Sequence, residues 1–127
     1  MTALLDTHVI HWWSTNPDML SRAAVQALSE ADELVVAGIS WYELAWLVRR
    51  QRITITMPIP AWLEELSSRV RTLGITPAIA AAAALLPASF RNDPVDRLIY
   101  ATAVEHGLQL VTKDERMLRQ PHSIAVW

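Results

Sequence analysis

Four acidic side chains, Asp6, Glu43, Asp96 and Asp114, stand where a hard metal ion could be held. Each lies at the end of an apolar run or near the start of a helical pattern, and an α/β fold gathers its loops at the carboxyl ends of its strands. Pairs of these carboxylates about 6 Å apart, in an effective dielectric of ~20, would repel by roughly 3 kcal/mol each. Several such pairs rival the ~5–15 kcal/mol by which a whole domain is stable. The set must then be protonated, spread apart or neutralised by a cation, and only the last creates function. Carboxylate donors in a chain without Cys select Mg2+ or Mn2+ over zinc. Such an ion activates water and steadies charge on a phosphoryl oxygen, which suits phosphodiester hydrolysis. The sequence holds no Gly-x-Ser-x-Gly elbow, Gly-x-Gly-x-x-Gly turn or Gly-Lys-Ser/Thr loop, which argues against serine-hydrolase, dinucleotide and P-loop chemistry.

The elements that must position these acids follow from apolar patterning. Short apolar runs at 3–5, 34–39, 108–112 and 123–126 predict strands. Helical patterns occupy 21–31, 41–50, 61–73 with Pro60 in the first turn and Gly74 at the end, 78–86, and 95–106 followed by Gly107. This alternation predicts an α/β class, a three-layer α/β/α sandwich around a short, mostly parallel sheet. The 127 residues, 52% hydrophobic and 19% charged, read as a single domain over 1–127 and exclude a disordered or coiled-coil chain. The longest apolar run, 78–86, is about half of the ~20 residues a membrane span needs. With no basic segment ahead of an apolar one at the N-terminus, a cytoplasmic protein is expected. Net charge is −2, yet basic residues cluster at Arg49, Arg50 and Arg52, at Arg69 and Arg71, and at Lys113, Arg116 and Arg119, leaving room for a local anion-binding stripe.

Each acid also has a local structural explanation. Ser40 and Glu43 form a capping-box pattern. Asp93-Pro94-Val95-Asp96 reads as an N-cap, a first-turn Pro and an acid favoured by the helix dipole. Asp114 could cap a short helix over 115–118, and Asp6 could simply end a strand. His8 and His11 follow Asp6 closely and read either as helix-face residues or as members of the site. Trp12, Trp13, Trp41, Trp46 and Trp62 could stack on RNA bases, although packing is the simpler use. Trp41, Leu44, Ala45 and Val48, and Trp62, Leu66 and Val70, recur at helical spacing and offer apolar faces that a partner helix could cover.

Four segments together carry a family likeness: Leu4-Leu5-Asp6-Thr7-His8, Ile39-Ser40-Trp41-Tyr42-Glu43-Leu44, 92–103 from Asn92-Asp93-Pro94 to Ala101-Thr102-Ala103, and Leu110-Val111-Thr112-Lys113-Asp114. In order and spacing they resemble the PIN-domain ribonucleases of the VapC toxin type, over nearly the whole chain. The resemblance implies a metal-dependent endoribonuclease restrained by a cognate antitoxin protein, usually as a homodimer. It maps the acidic set onto Asp6, Glu43, Asp96 and Asp114, holding Mg2+ or Mn2+. Asp93 fits better as the helix cap, and Thr112 resembles the hydroxyl residue that often accompanies the last acid. Two other classes compete with an RNA-cleaving toxin: an acidic-pocket phosphoacceptor or signalling module, and a catalytically silent interaction protein.

Overall fold

Four apolar runs and one short polar edge segment become strands, with helices between them, in the order β1 (Thr2–Leu5), α1 (Thr7–Thr15), α2 (Arg22–Glu30), β2 (Glu33–Ala37), α3 (Gly38–Arg49), α4 (Ile59–Ser67), β3 (Arg71–Leu73), α5 (Pro77–Ala84), α6 (Pro94–His106), β4 (Gln109–Val111), α7 (Glu115–Leu118) and β5 (Ala125–Val126). The computed structural model describes residues 1–90, 92–122 and 124–127. The five strands form one sheet in the order β3-β2-β1-β4-β5, and every pairing is parallel. From β1 the chain builds outward through β2 and β3, then returns to add β4 and β5 on the other side. The reversal opens a crevice at the carboxyl ends of β1 and β4, the usual place for a ligand in an open parallel sheet.

Side chains alternate across the strands and separate two cores. Ala3, Leu5, Val36 and Val111 pack with Val9 and Ile10 of α1, Ala24 and Leu28 of α2, Leu44 of α3, and Trp62 and Leu66 of α4. Leu4, Val35, Ala37 and Leu110 face the other way, onto Ile99, Tyr100 and Ala103 of α6 and Met117 of α7. The expected three layers are therefore present. Among the described residues, no helix is long and apolar enough to cross a membrane.

Several expected elements shift. α4 ends at Ser67, and Arg71–Leu73, expected as its last turn, is an edge strand paired with Val35–Ala37. Arg71 is fixed there by a two-pronged ion pair to Glu33, at 2.8 and 2.9 Å. Three residues are too few to show a two-residue period, so the helical spacing of Trp62, Leu66 and Val70 ran on into them. α3 begins at Gly38, with Ala37 as its N-cap and no side-chain cap bond. Ser40 therefore lies inside the helix, fully buried, with Oγ 3.1 Å from Thr7 Oγ1, and the Ser40–Glu43 capping box does not form. The sequence places the start of the last strand at residue 123, which lies outside the described residues. α1 matches no predicted helix; its signal was the Asp6 cap followed by Val9, Ile10 and Trp13 at helical spacing.

α6 ends at Gly107 in the left-handed region, φ 63°. A Cβ there would meet nothing within 4 Å, so only backbone strain opposes a side chain. Gly107→Ala is expected to fold natively but to lose about 1 kcal/mol, read as a lower urea midpoint with an unchanged slope.

Candidate active site

Asp6 sits where β1 passes into α1, 9% exposed, with its amide donating to Val111 O of β4 at 3.0 Å. Its two carboxylate oxygens have different partners. Oδ1 accepts the Thr7 N–H at 2.8 Å and so caps α1, while Oδ2 accepts the Thr112 hydroxyl at 2.6 Å. Thr112, buried just beyond β4, in turn accepts the Asp114 N–H at 3.0 Å. Burial pushes the Asp6 carboxyl above its ordinary value; the Thr112 and Thr7 bonds and nearby His8 oppose that, and the charge of Asp114 adds to it.

Glu43 lies in the second turn of α3, half-buried, facing the same region. Its carboxyl is also pushed up, first by burial and further by the charges of Asp6 and Asp93, against a hydrogen bond from Thr7 and the proximity of His8. Asp93 caps α6, its Oδ1 accepting the Val95 and Asp96 N–H groups at 2.8 and 3.2 Å. Asp114 caps α7 through the Arg116 N–H at 2.8 Å.

All four expected acids line one cavity of about 400 Å3, over the crevice between β1 and β4. Asp93, expected only as a cap, lines it too, as do His8, Val9, Trp12 and Lys113. Among the described residues, no group of three or more acidic or histidine side chains is arranged to hold an ion unaided. That arrangement still suits Mg2+, which keeps several of its waters and is commonly bound through one or two carboxylates. The donors are hard oxygens, and Asp6 and Glu43 each feel the charge of other acids, so a divalent cation fits the residues present.

Other candidates separate by position. Arg97, beside Asp96, directs its guanidinium to the carbonyls of Ala83 and Leu86 at 3.0 and 3.2 Å, tying α6 to the end of α5. Trp62 and Leu66 are in the core at 5% and 1% exposure, so the apolar face expected at Trp62, Leu66 and Val70 is turned inward and is not open to a partner helix. The aromatic surface that does face outward on α3 is Tyr42 stacked on Trp46, 62% and 48% exposed. The sequence marks Trp12 as a possible stacking residue and Lys113 as part of a basic cluster, but not that both join the acids on one cavity. The available signal was that Trp12 lies four residues, one helical turn, beyond His8.

A PIN-domain profile matches residues 3–122. Ribonuclease VapC22 of Mycobacterium tuberculosis (strain ATCC 25618 / H37Rv) is 57% identical over 128 residues, 99% of this chain and 98% of that protein. A toxin-antitoxin complex from Klebsiella pneumoniae superposes with a TM-score of 0.71 at 22% identity, covering 98% of this chain and 96% of that one. VapBC2 from Rickettsia felis, bound to a DNA fragment from its promoter, superposes with a TM-score of 0.72 at 16% identity, covering 99% and 98%. These two structures share the fold.

Because the folded-state pKa of Asp6 is raised from about 3.8, the native protein holds that proton more tightly than the unfolded chain does. The stability this contributes is complete below the unfolded pKa and is lost as pH rises through the folded one. Asp6→Asn keeps an acceptor for Thr7 and can donate to Thr112 Oγ1. In chelator-treated protein it is expected to match wild type in acid and to become the more stable of the two by pH 7. Urea midpoints at pH 4 and pH 7 test this, and an equal difference at both values refutes it.

Proposed function

The chain belongs to the PIN-domain family, and on that premise we propose that it is a metal-dependent endoribonuclease acting as the toxin of a toxin-antitoxin pair in the cytoplasm, with residues 1–127 serving as one domain. The observation that carries the reading is the meeting of Asp6, Glu43, Asp96 and Asp114, from four separate segments, on one cavity at the point where the sheet order reverses. The 57% identity to a protein named a ribonuclease supports RNA as the substrate.

These four acids would hold Mg2+ or Mn2+. When bound, the ion lowers the pKa of a water and offsets charge on the phosphoryl oxygens. The chain's own residues supply orientation. Thr7 and Thr112 fix both oxygens of Asp6, and Thr7 also steadies Glu43. Asp93 holds the first turn of α6 and with it Asp96. Lys113, on the cavity wall, and exposed Arg116, next to Asp114 in a neighbouring surface hollow, are placed to meet phosphates entering an otherwise acidic site. For the partner, two structural neighbours are described as a toxin-antitoxin complex and as VapBC2, which supports an antitoxin. The outward Tyr42 and Trp46 of α3 supply apolar surface for it or for a second copy of the chain.

Incubating unstructured RNA with the protein and Mg2+ or Mn2+, against a chelator control, tests the nuclease. Cleavage is expected only with metal; none under any condition favours a silent interaction protein. Asp6→Asn or Asp96→Asn is expected to abolish cleavage and weaken metal binding while circular dichroism stays native. Asp93→Asn should lose far less, because asparagine caps a helix about as well as aspartate. RNA affinity is expected to rise with divalent metal and to fall with monovalent salt, in a titration by fluorescence anisotropy. Equal affinity in chelator and in Mg2+ argues against metal-bridged phosphate binding.

A further inference from the structure

We propose that Trp12 is the platform on which an unpaired nucleobase of the RNA stacks beside the bond to be cut; this rests on the nuclease reading above. The cavity has two chemically different walls. Its carboxylates repel phosphate and offer nothing to a neutral ring, whereas Val9 and Trp12, both from α1, form its apolar side. Trp13, the next residue, packs against the core cluster, but Trp12 takes no part in it and stays partly exposed.

Three segments hold the indole as a plate. His8, one turn earlier on α1, lies 5.7 Å from it between ring centres at 44°; Trp127, beyond β5, lies 5.8 Å away at 53°. Both neighbours meet the indole tilted and are not stacked flat on it. Lys113 Nζ stands over one face of the ring, 5.8 Å from its centre, and lines the same cavity, so the base is expected on the other face, with a cation for the phosphate close by. This pairing of aromatic plate and flanking cation is how single strands are held without reading their edges. It selects for a base free of the helix stack, because a paired base cannot expose its face to the indole.

The test uses short unstructured RNA for cleavage and its 2′-O-methyl counterpart as a binding probe, in Mg2+, with the probe's integrity checked on a gel after each titration. Trp12→Ala is expected to raise KM for cleavage, and Kd for the methylated RNA, by roughly 5- to 100-fold with much less change in kcat. Trp12→Phe keeps an aromatic face and should stay within a few-fold of wild type. An abasic residue walked through the positions flanking the cut should weaken binding to wild type at one position, and that penalty should vanish in Trp12→Ala. Unchanged affinity in a natively folded Trp12→Ala, or an abasic penalty equal in both proteins, overturns the platform. Trp12-dependent binding without cleavage by wild type upholds the platform and overturns the nuclease reading instead.

Discussion

Burying the Asp6 carboxylate under the carboxyl edge of the sheet removes its hydration, and the bonds that replace water reach into several neighbouring elements. One oxygen takes the first amide of α1; the other takes the hydroxyl of Thr112, beyond β4. The Asp6 amide bonds β4 as well. A single acid thus joins β1 and β4, the neighbouring parallel strands at which the sheet order reverses. Through Thr112 it also sets the position of Asp114. Moving any of these groups would leave a buried charge short of a donor, which costs more than a neutral hydrogen bond does.

The remaining acids are tolerated close by because local structure offsets part of their repulsion. Asp6 and Asp93 cap the amino ends of α1 and α6, where the backbone dipoles favour negative charge. Capping and ion binding are two roles that the same residues can fill. They are compatible: a carboxylate can bond its own helix through one oxygen and still face the cavity. What the caps leave uncompensated is visible at Asp6 and Glu43, whose carboxyls are pushed above their ordinary values by burial first and then by neighbouring acids, Asp114 for Asp6, and Asp6 and Asp93 for Glu43.

The six tryptophans show why residue type alone said little about their use. Trp62 fills the core, Trp13 packs against it under the Arg69 guanidinium, and Trp41 donates from Nε1 to Thr72 at 3.0 Å. Trp46 lies outward beneath Arg50, Trp127 sits against Trp12, and Trp12 faces the cavity. For the five that lie on helices, the environment depends on which way the helix is turned against the sheet, a rotation that side-chain identity does not specify.

The α/β class, the parallel sheet, the helix ends at Ser21, Asp93 and Gly107, and the acids Asp6, Glu43, Asp96 and Asp114 were all readable from one-dimensional pattern. They depend on local terms: apolar period, capping chemistry, glycine's freedom at φ 63°, and the placing of charge at strand ends. The edge strand at Arg71–Leu73, the burial of Ser40 inside α3, the turn of Arg97 toward α5, and the joining of Asp93, Trp12 and Lys113 to the acids were decided only in three dimensions. Each of these depends on a partner far away in sequence. Arg71 needs Glu33, Ser40 needs Thr7, and the cavity needs β1 and β4, more than a hundred residues apart, to lie side by side. Local preference cannot supply such contacts, because they exist only after the chain has closed on itself and the burial of one side chain has removed the water that another would otherwise have bonded.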